Sequence, residues 1–244
     1  MGRPSRVSNK HIIGIRTESS TVAPLHASDR TVHGTFWFDL RTRRPYAAAV
    51  KRGMDIAGSL ILIVALAPLF LLLIALIKAS SPGPAIFIQR RIGFRCNEFG
   101  MYKFRTMIAN AELLQEQLKR AEGMSQFFKL KRDPRVTPIG RFLRRYSLDE
   151  LPQLFNVLEG TMSLVGPRPL LVSDLEKFPL RGQMRRFSAK PGITGLWQVS
   201  GRSALSDEDR MRLDREYVSR WSVWLDLKIL AKTVIVVLSG RGAS

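Results

Sequence analysis

The sequence predicts an α-rich, membrane-associated α/β protein in which a re-entrant membrane helix precedes a small cytosolic domain with amphipathic interfacial helices. Three observations lead there. Ile56 to Ile77 is a run of 22 residues without a charge, interrupted by Pro68. Beyond it lie short runs alternating like strands and longer runs of strong helix formers. The 244 residues also carry 39 Lys+Arg against 20 Asp+Glu, a formal +19, while 45% are apolar. That apolar content supports a packed core and argues against a chain disordered throughout. The charge excess asks for an anionic partner, whether nucleic acid, membrane surface or phosphorylated substrate.

The elements follow in order. Residues 1–46 are polar, scattered with Gly, Pro, Ser and Thr, and keep no period of 3.6 or 2, which describes a disordered basic arm. No apolar h-region follows the charged start, so no signal peptide is read there. Phe36-Trp37-Phe38 is an exception within the arm, either an interfacial aromatic anchor or a minor packing contact. Residues 47–80 form the membrane element and 81–240 the cytosolic domain.

As a helix the uncharged run would be ~33 Å long, enough for a hydrocarbon core of ~30 Å. Two details disfavour a plain crossing. Pro68 removes a helix hydrogen bond and clashes with the preceding turn. Basic residues also flank both ends, with Arg41, Arg43, Arg44, Lys51 and Arg52 before and Lys78, Arg90, Arg91 and Arg95 after. The positive-inside rule then places both ends on the cytoplasmic side. A helix that enters, turns near Pro68 and leaves on the same face satisfies both signals, provided Ser59 or other protein groups serve the backbone freed at the break. A single transmembrane span is the alternative.

Ser81-Pro82-Gly83-Pro84 is a loop signal. Residues 85–92 and 99–105 read as two short strands about a Gly/Asn-containing turn, and 108–122 as an exposed amphipathic helix. Residues 209–217 and 225–238 read as helices. The last is 14 residues long and carries Lys228 and Lys232, too short to span, so it packs on the domain or lies in the interface. The single cysteine, Cys96, excludes an intramolecular disulfide and fits a reducing compartment. His11, His26 and His33 all lie in the arm, which leaves any chemistry of the folded part to carboxylates, Lys, Arg, Ser, Thr or Tyr.

The most informative stretch is Arg144-Arg145-Tyr146-Ser147-Leu148-Asp149-Glu150-Leu151-Pro152-Gln153-Leu154-Phe155-Asn156. Ser147 and Glu150 have capping-box spacing and Pro152 suits a first turn, so a helix start is predicted here. Asp149 and Glu150 would then sit at a positive helix end beside two arginines, a combination suited to phosphoryl transfer. By spacing alone, however, Asp and Glu in a first turn are commonplace capping residues.

The motifs Asp133-Pro-Arg-Val-Thr, Ser147-Leu-Asp-Glu-Leu-Pro-Gln-Leu and Gly160-Thr-Met-Ser-Leu-Val-Gly-Pro-Arg-Pro closely resemble the bacterial sugar transferase family, the monotopic phosphoglycosyl transferases. The resemblance extends upstream to Lys103-Phe-Arg-Thr-Met107, downstream to Lys190-Pro-Gly-Ile-Thr-Gly-Leu-Trp-Gln-Val-Ser-Gly-Arg202, and covers roughly 48–239. It is nearest to the compact enzymes that prime exopolysaccharide synthesis. The resemblance implies an undecaprenyl-phosphate sugar-1-phosphate transferase on the cytoplasmic face of the bacterial inner membrane. It implies that Asp149 attacks the β-phosphorus of a UDP-sugar, releasing UMP, and that polyprenyl phosphate then takes the phosphosugar. It implies Mg²⁺ held at Glu150 with Asp149, contacts to substrate from Lys103, Arg105, Arg144 and Arg168, and a helix-breaking role for Pro68. Lys103 and Arg105 share one face of their predicted strand, and Arg168 is stiffened between Pro167 and Pro169.

Trp197 and Gln198 either line the sugar site or anchor packing. Asp214, Tyr217, Trp221 and Asp226 have spacings suited to helix faces on a core, with Tyr217 and Asp226 the more tempting site candidates. Nucleic acid is set aside as a partner because no recognition module is present. A non-catalytic membrane scaffold for polysaccharide assembly is the remaining alternative, and a homo-oligomer is left open. The hexose is not legible in the sequence.

Overall fold

A computed structural model of the chain describes residues 45–109, 111, 133–171, 174 and 184–239. The Phe36-Trp37-Phe38 cluster, nearly all of the arm over 1–46, and most of the helix expected over 108–122 lie outside the described residues.

The fold is mixed and helix-rich. Helix α1 (Pro45–Ala65) is followed after Leu66 by α2 (Ala67–Ser80), and the two are bent by 63°. Among the described residues no single helix is long and apolar enough to cross a membrane, although the bent pair together has the length and composition. Pro68 explains the bend: in the first turn of α2 it has no N–H to leave unsatisfied. The break costs little elsewhere, since Leu66 N donates to Leu62 O at 2.9 Å and Phe70 N to Leu66 O at 2.9 Å. Ser59 takes no part in this, contrary to the sequence expectation, because its buried hydroxyl has no hydrogen-bond partner.

The limbs are anchored to the domain. On α2, Phe70, Leu73 and Ile77 lie on one helical face and enter the core. Phe70 packs its ring 5.5 Å from Phe104 and 6.0 Å, edge-on, from Phe155. Leu71 and Leu72 on the other side stay exposed. On α1, Asp55 accepts from Ser163 Oγ at 2.9 Å and Leu164 N at 3.0 Å. Lys51 reaches Val165 O at 3.0 Å and Asp226 at 2.6 Å, while Arg52 donates to Val157 O and Leu158 O at 2.6 and 2.9 Å. Lys51 and Arg52, read from sequence as part of a basic membrane flank, are thus turned inward. Arg52 serves carbonyls at the C-terminal end of a helix, where a cation is favoured.

Strands β1 (Ile86–Ile92) and β2 (Glu98–Phe104) form an antiparallel hairpin within a residue of the predicted bounds. Helix α3 (Pro138–Arg145) is capped by Thr137, whose hydroxyl accepts from Gly140 N at 3.0 Å. A 3₁₀ turn over Leu148–Glu150 leads into α4 (Gln153–Glu159). Asn156, fully buried in α4, accepts from Tyr102 N at 2.9 Å and donates to Gly100 O at 2.8 Å, so its side chain pairs with β2 as a neighbouring strand would. Strands β3 (Ser163–Val165) and β4 (Gly192–Thr194) pair in parallel. Helices α5 (Asp207–Arg220) and α6 (Val223–Ser239) complete the described fold.

One local expectation is overturned. Ser147 is not an N-cap: its φ of 56° is left-handed and its side chain caps nothing. An N-cap needs extended backbone, whereas a left-handed residue ends a helix. Ser147 therefore reverses the chain after α3, and α4 begins only at Gln153 with Pro152 before it. Asp149 and Glu150 lie on the short turn between two helices, not in the first turn of one.

Candidate active site

That turn carries Asp149 and Glu150 to a cavity of about 870 Å³ lined by β2, the end of α3 and the segment after β3. Six sequence-predicted residues converge there: Lys103, Arg105, Arg144, Asp149, Glu150 and Arg168. Pro68 has a different place, at the bend between α1 and α2.

The two carboxylates occupy opposite electrostatic situations. Glu150 Oε1 accepts from Lys103 Nζ at 3.1 Å and Arg168 Nη2 at 3.2 Å. Burial alone would push its carboxyl up, but the Arg168 and Lys103 charges and hydrogen bonds outweigh burial and hold it at about 2. Asp149 accepts no hydrogen bond from a described residue. Burial, then the neighbouring Glu150 charge, raises its carboxyl above the ordinary 3.8, against the pull of Lys103, Arg144 and Arg168. Glu150 is thus a fixed anion organising two cations, and Asp149 a poorly solvated, uncommitted carboxylate beside them. Desolvation without a partner raises the reactivity of such an oxygen toward phosphorus.

The backbone fixes these positions. Arg144 Nε donates to Thr106 Oγ1 at 3.0 Å. A Cβ at Gly140 would collide with the Thr106 carbonyl, so glycine is what lets α3 approach this closely. Arg168 is held by more than its flanking prolines. Gly192 N donates to Pro167 O at 2.9 Å, Ile92 N to Leu170 O at 2.9 Å, and Arg186 Nη2 to Arg168 O at 2.7 Å. Arg105 lines the cavity, yet its guanidinium donates to Ser81 O at 2.6 Å and Pro82 O at 2.9 Å. It ties the loop after α2 to the site.

Further members escaped the sequence reading. Arg91, Arg135, Arg202 and Arg210 also line the cavity, which among the described residues gathers eight basic side chains and two carboxylates. The alternation of Gln89 and Arg91 on β1 was the available signal for Arg91. Burial, followed by repulsion from Arg168, lowers Arg91 to about 10, as expected of crowded cations facing an anion site. Trp197 and Gln198 do border the cavity, with the Arg168 and Arg210 guanidiniums 5.8 and 5.3 Å from the Trp197 ring centre. Tyr217 and Asp226 belong elsewhere. The Tyr217 hydroxyl meets Asp226 at 2.8 Å and Val165 O at 3.0 Å, and Trp221 Nε1 donates to Asp226 at 3.2 Å, a buried network that also receives Lys51.

Among the described residues no three His, Cys, Asp or Glu side chains cluster as a metal cage. Mg²⁺ does not require one, since it ordinarily takes one or two carboxylates and completes its shell with phosphate oxygens and water. Asp149 and Glu150, whose Oε2 accepts no hydrogen bond from a described residue, are the two carboxylates that the described lining offers to such an ion.

Residues 46–240 match the family described as bacterial sugar transferase. The galactosyl transferase CpsE of Streptococcus agalactiae is 47% identical over 195 residues, 79% of this chain and 43% of that protein. The undecaprenyl-phosphate galactose phosphotransferase of Salmonella typhimurium is 44% identical over 200 residues, 80% of this chain and 41% of that protein. The exopolysaccharide production protein ExoY of Sinorhizobium fredii is 42% identical over 205 residues, 82% of this chain and 90% of that protein. The alignments thus cover less than half of the first two relatives and nearly all of the third.

Proposed function

The chain belongs to the bacterial sugar transferase family, and on that premise we propose that it transfers hexose-1-phosphate from a UDP-sugar to undecaprenyl phosphate, the priming step of exopolysaccharide synthesis. The observation that carries the reading is Asp149, a desolvated carboxylate that accepts no hydrogen bond from a described residue, beside a Glu150 whose charge holds Lys103 and Arg168.

A diphosphate entering the cavity meets Lys103, Arg144 and Arg168, which neutralise its charge and orient it. An Asp149 oxygen forms a bond to the β-phosphorus, and the bond from that phosphorus to the bridging oxygen breaks, so UMP leaves with that oxygen. The sugar phosphate stays on Asp149 as an acyl phosphate. A phosphate oxygen of undecaprenyl phosphate then attacks the same phosphorus, and Asp149 departs as the free carboxylate. Glu150, kept ionised, holds Lys103 and Arg168 in position through both displacements. Mg²⁺, held by Asp149 and Glu150 with the substrate phosphates, would supply further charge neutralisation.

Both substrates must reach one carboxylate, one from water and one from lipid. The 63° bend, the exposed apolar sides of α1 and α2, and the packing of Phe70, Leu73 and Ile77 into the domain support a re-entrant seat on the cytoplasmic face of the inner membrane. The test is UMP release by nanodisc-held protein with Mg²⁺ and undecaprenyl phosphate over a panel of UDP-hexoses, alongside Asp149→Asn. Lipid-dependent release that Asp149→Asn abolishes is the expected result. No Asp149-dependent release from a folded preparation would end the transferase reading.

A further inference from the structure

A second chamber, of about 180 Å³, opens beside the catalytic cavity and shares Arg91, Arg168, Trp197 and Arg210 with it. The chemistry of its lining differs. Among the described residues its lining carries four guanidiniums and three carboxylates, whereas that of the catalytic cavity carries eight basic side chains and two carboxylates. The larger cavity suits a diphosphate. The near-balanced chamber suits a neutral group rich in hydroxyls, each of which both donates and accepts. At about 180 Å³ against about 870 Å³ it is far smaller than the catalytic cavity and suits a group the size of a single ring.

Asp214 braces this wall. Its Oδ2 accepts from Arg186 Nη2 at 2.7 Å, its Oδ1 is buried out of reach of solvent, and the Arg168 backbone N–H draws on the same carboxylate. Arg186 also donates to the Arg168 carbonyl at 2.7 Å, so this wall and the phosphate-binding segment are directly joined. At the rim, Asp207, its side chain 66% exposed, accepts from Arg210 at 2.8 Å. In a UDP-hexose the ring hangs by one oxygen from the β-phosphate that Arg168 would hold. The chamber shares Arg168 with the catalytic cavity, so a ring hanging from that phosphate has the chamber as its neighbour.

We propose that this chamber is the sugar subsite of the transferase reaction, with Asp207 and Arg210 at its rim setting which hexose is accepted and Asp214, through Arg186, holding the Arg168 segment against it. The inference rests on the transferase reading, and the experiment separates the two. The full chain in nanodiscs is assayed with the gluco-, galacto- and N-acetylated UDP-hexoses, and inhibition by UMP, which carries no sugar, is measured in parallel. Met211→Trp fills the chamber from its lining and is expected to lower kcat/KM about tenfold or more for every donor, with UMP inhibition unchanged within about twofold. Asp207→Asn changes only the exposed rim and is expected to change the ratio of kcat/KM between hexoses by about tenfold, the value of one hydrogen bond to a charged partner. Weakened UMP inhibition in parallel with kcat/KM would assign the chamber to the nucleotide and overturn the proposal. So would unaltered kinetics in Met211→Trp. A wild-type chain releasing no UMP with any hexose fails the transferase reading itself, whatever the variants do.

Discussion

Exchanging each carboxylate of the Asp149-Glu150 pair for its amide should move stability in opposite directions. Glu150 is drawn from its ordinary 4.5 to about 2 by Arg168 and Lys103 against the effect of burial. At about 1.4 kcal/mol per tenfold change in acidity, that is on the order of 3 kcal/mol of charge stabilisation. Glu150→Gln keeps the shape but removes the charge, leaving Lys103 and Arg168 without their shared anion, and truncating one partner of a buried pair costs about 3–5 kcal/mol. For a folded unit of this size each kcal/mol shifts a thermal midpoint by about 2–4 °C, so Glu150→Gln should melt roughly 6–20 °C below wild type at pH 7. Asp149 is raised by burial and by Glu150, so its charge is a burden to the fold. Asp149→Asn should lose activity yet melt at or above the wild-type midpoint. Differential scanning fluorimetry in one detergent, with UMP release on the same samples, measures both. Equal destabilisation by the two amides, or a Glu150→Gln midpoint indistinguishable from wild type, would refute the division of labour.

Three further outcomes follow from the same geometry. Asn156→Ala strands Tyr102 N and Gly100 O, which should cost about 2–6 kcal/mol at about 1–3 per orphaned buried group and lower the midpoint without altering the hexose preference of the folded fraction. Gly140→Ala drives a Cβ into the Thr106 carbonyl and should cost about 3 kcal/mol or more through overpacking, with UMP release falling further because Arg144 is displaced; normal expression and activity would show the α3 contact to be loose. Asp214 is raised by burial, against Arg186, from 3.8 to about 7, so the folded protein holds that proton more tightly than the unfolded chain. Its stabilising contribution is fully present below about pH 4 and is lost as pH rises to about 7. The wild-type midpoint should therefore fall more steeply than that of Asp214→Asn between those limits, and parallel curves would contradict the assignment.

What the sequence disclosed and what it hid divide along the range of the interactions. The hairpin, the break at Pro68 and the helices over 207–220 and 223–239 rest on alternation, a missing N–H and local helix formers, all readable within a few residues. The Asp149-Glu150 pair was legible as a motif, but its setting was not. A capping box assumes that Glu150 turns back on its own helix, whereas it faces Lys103 and Arg168, brought from elsewhere in the chain, and Ser147 adopts a left-handed conformation that spacing does not reveal. Lys51 and Arg52 show the same limit. A basic pair beside an apolar run reads as lipid-facing until the fold brings Asp226 and the end of α4 against it. Arg186 and Asp214 lie in no motif that spacing marks as chemical, and only burial places them behind Arg168.

The central claim, that Asp149 takes the sugar phosphate before any lipid arrives, is tested most directly by isotope exchange. Labelled UMP is incubated with the accepted UDP-hexose, Mg²⁺ and the full chain in nanodiscs free of polyprenyl phosphate. Label is expected to enter the UDP-hexose in wild type and not in Asp149→Asn, because the first displacement reverses on the enzyme alone. Exchange that appears only when undecaprenyl phosphate is added would mean direct transfer between the substrates, and Asp149 would not be the nucleophile.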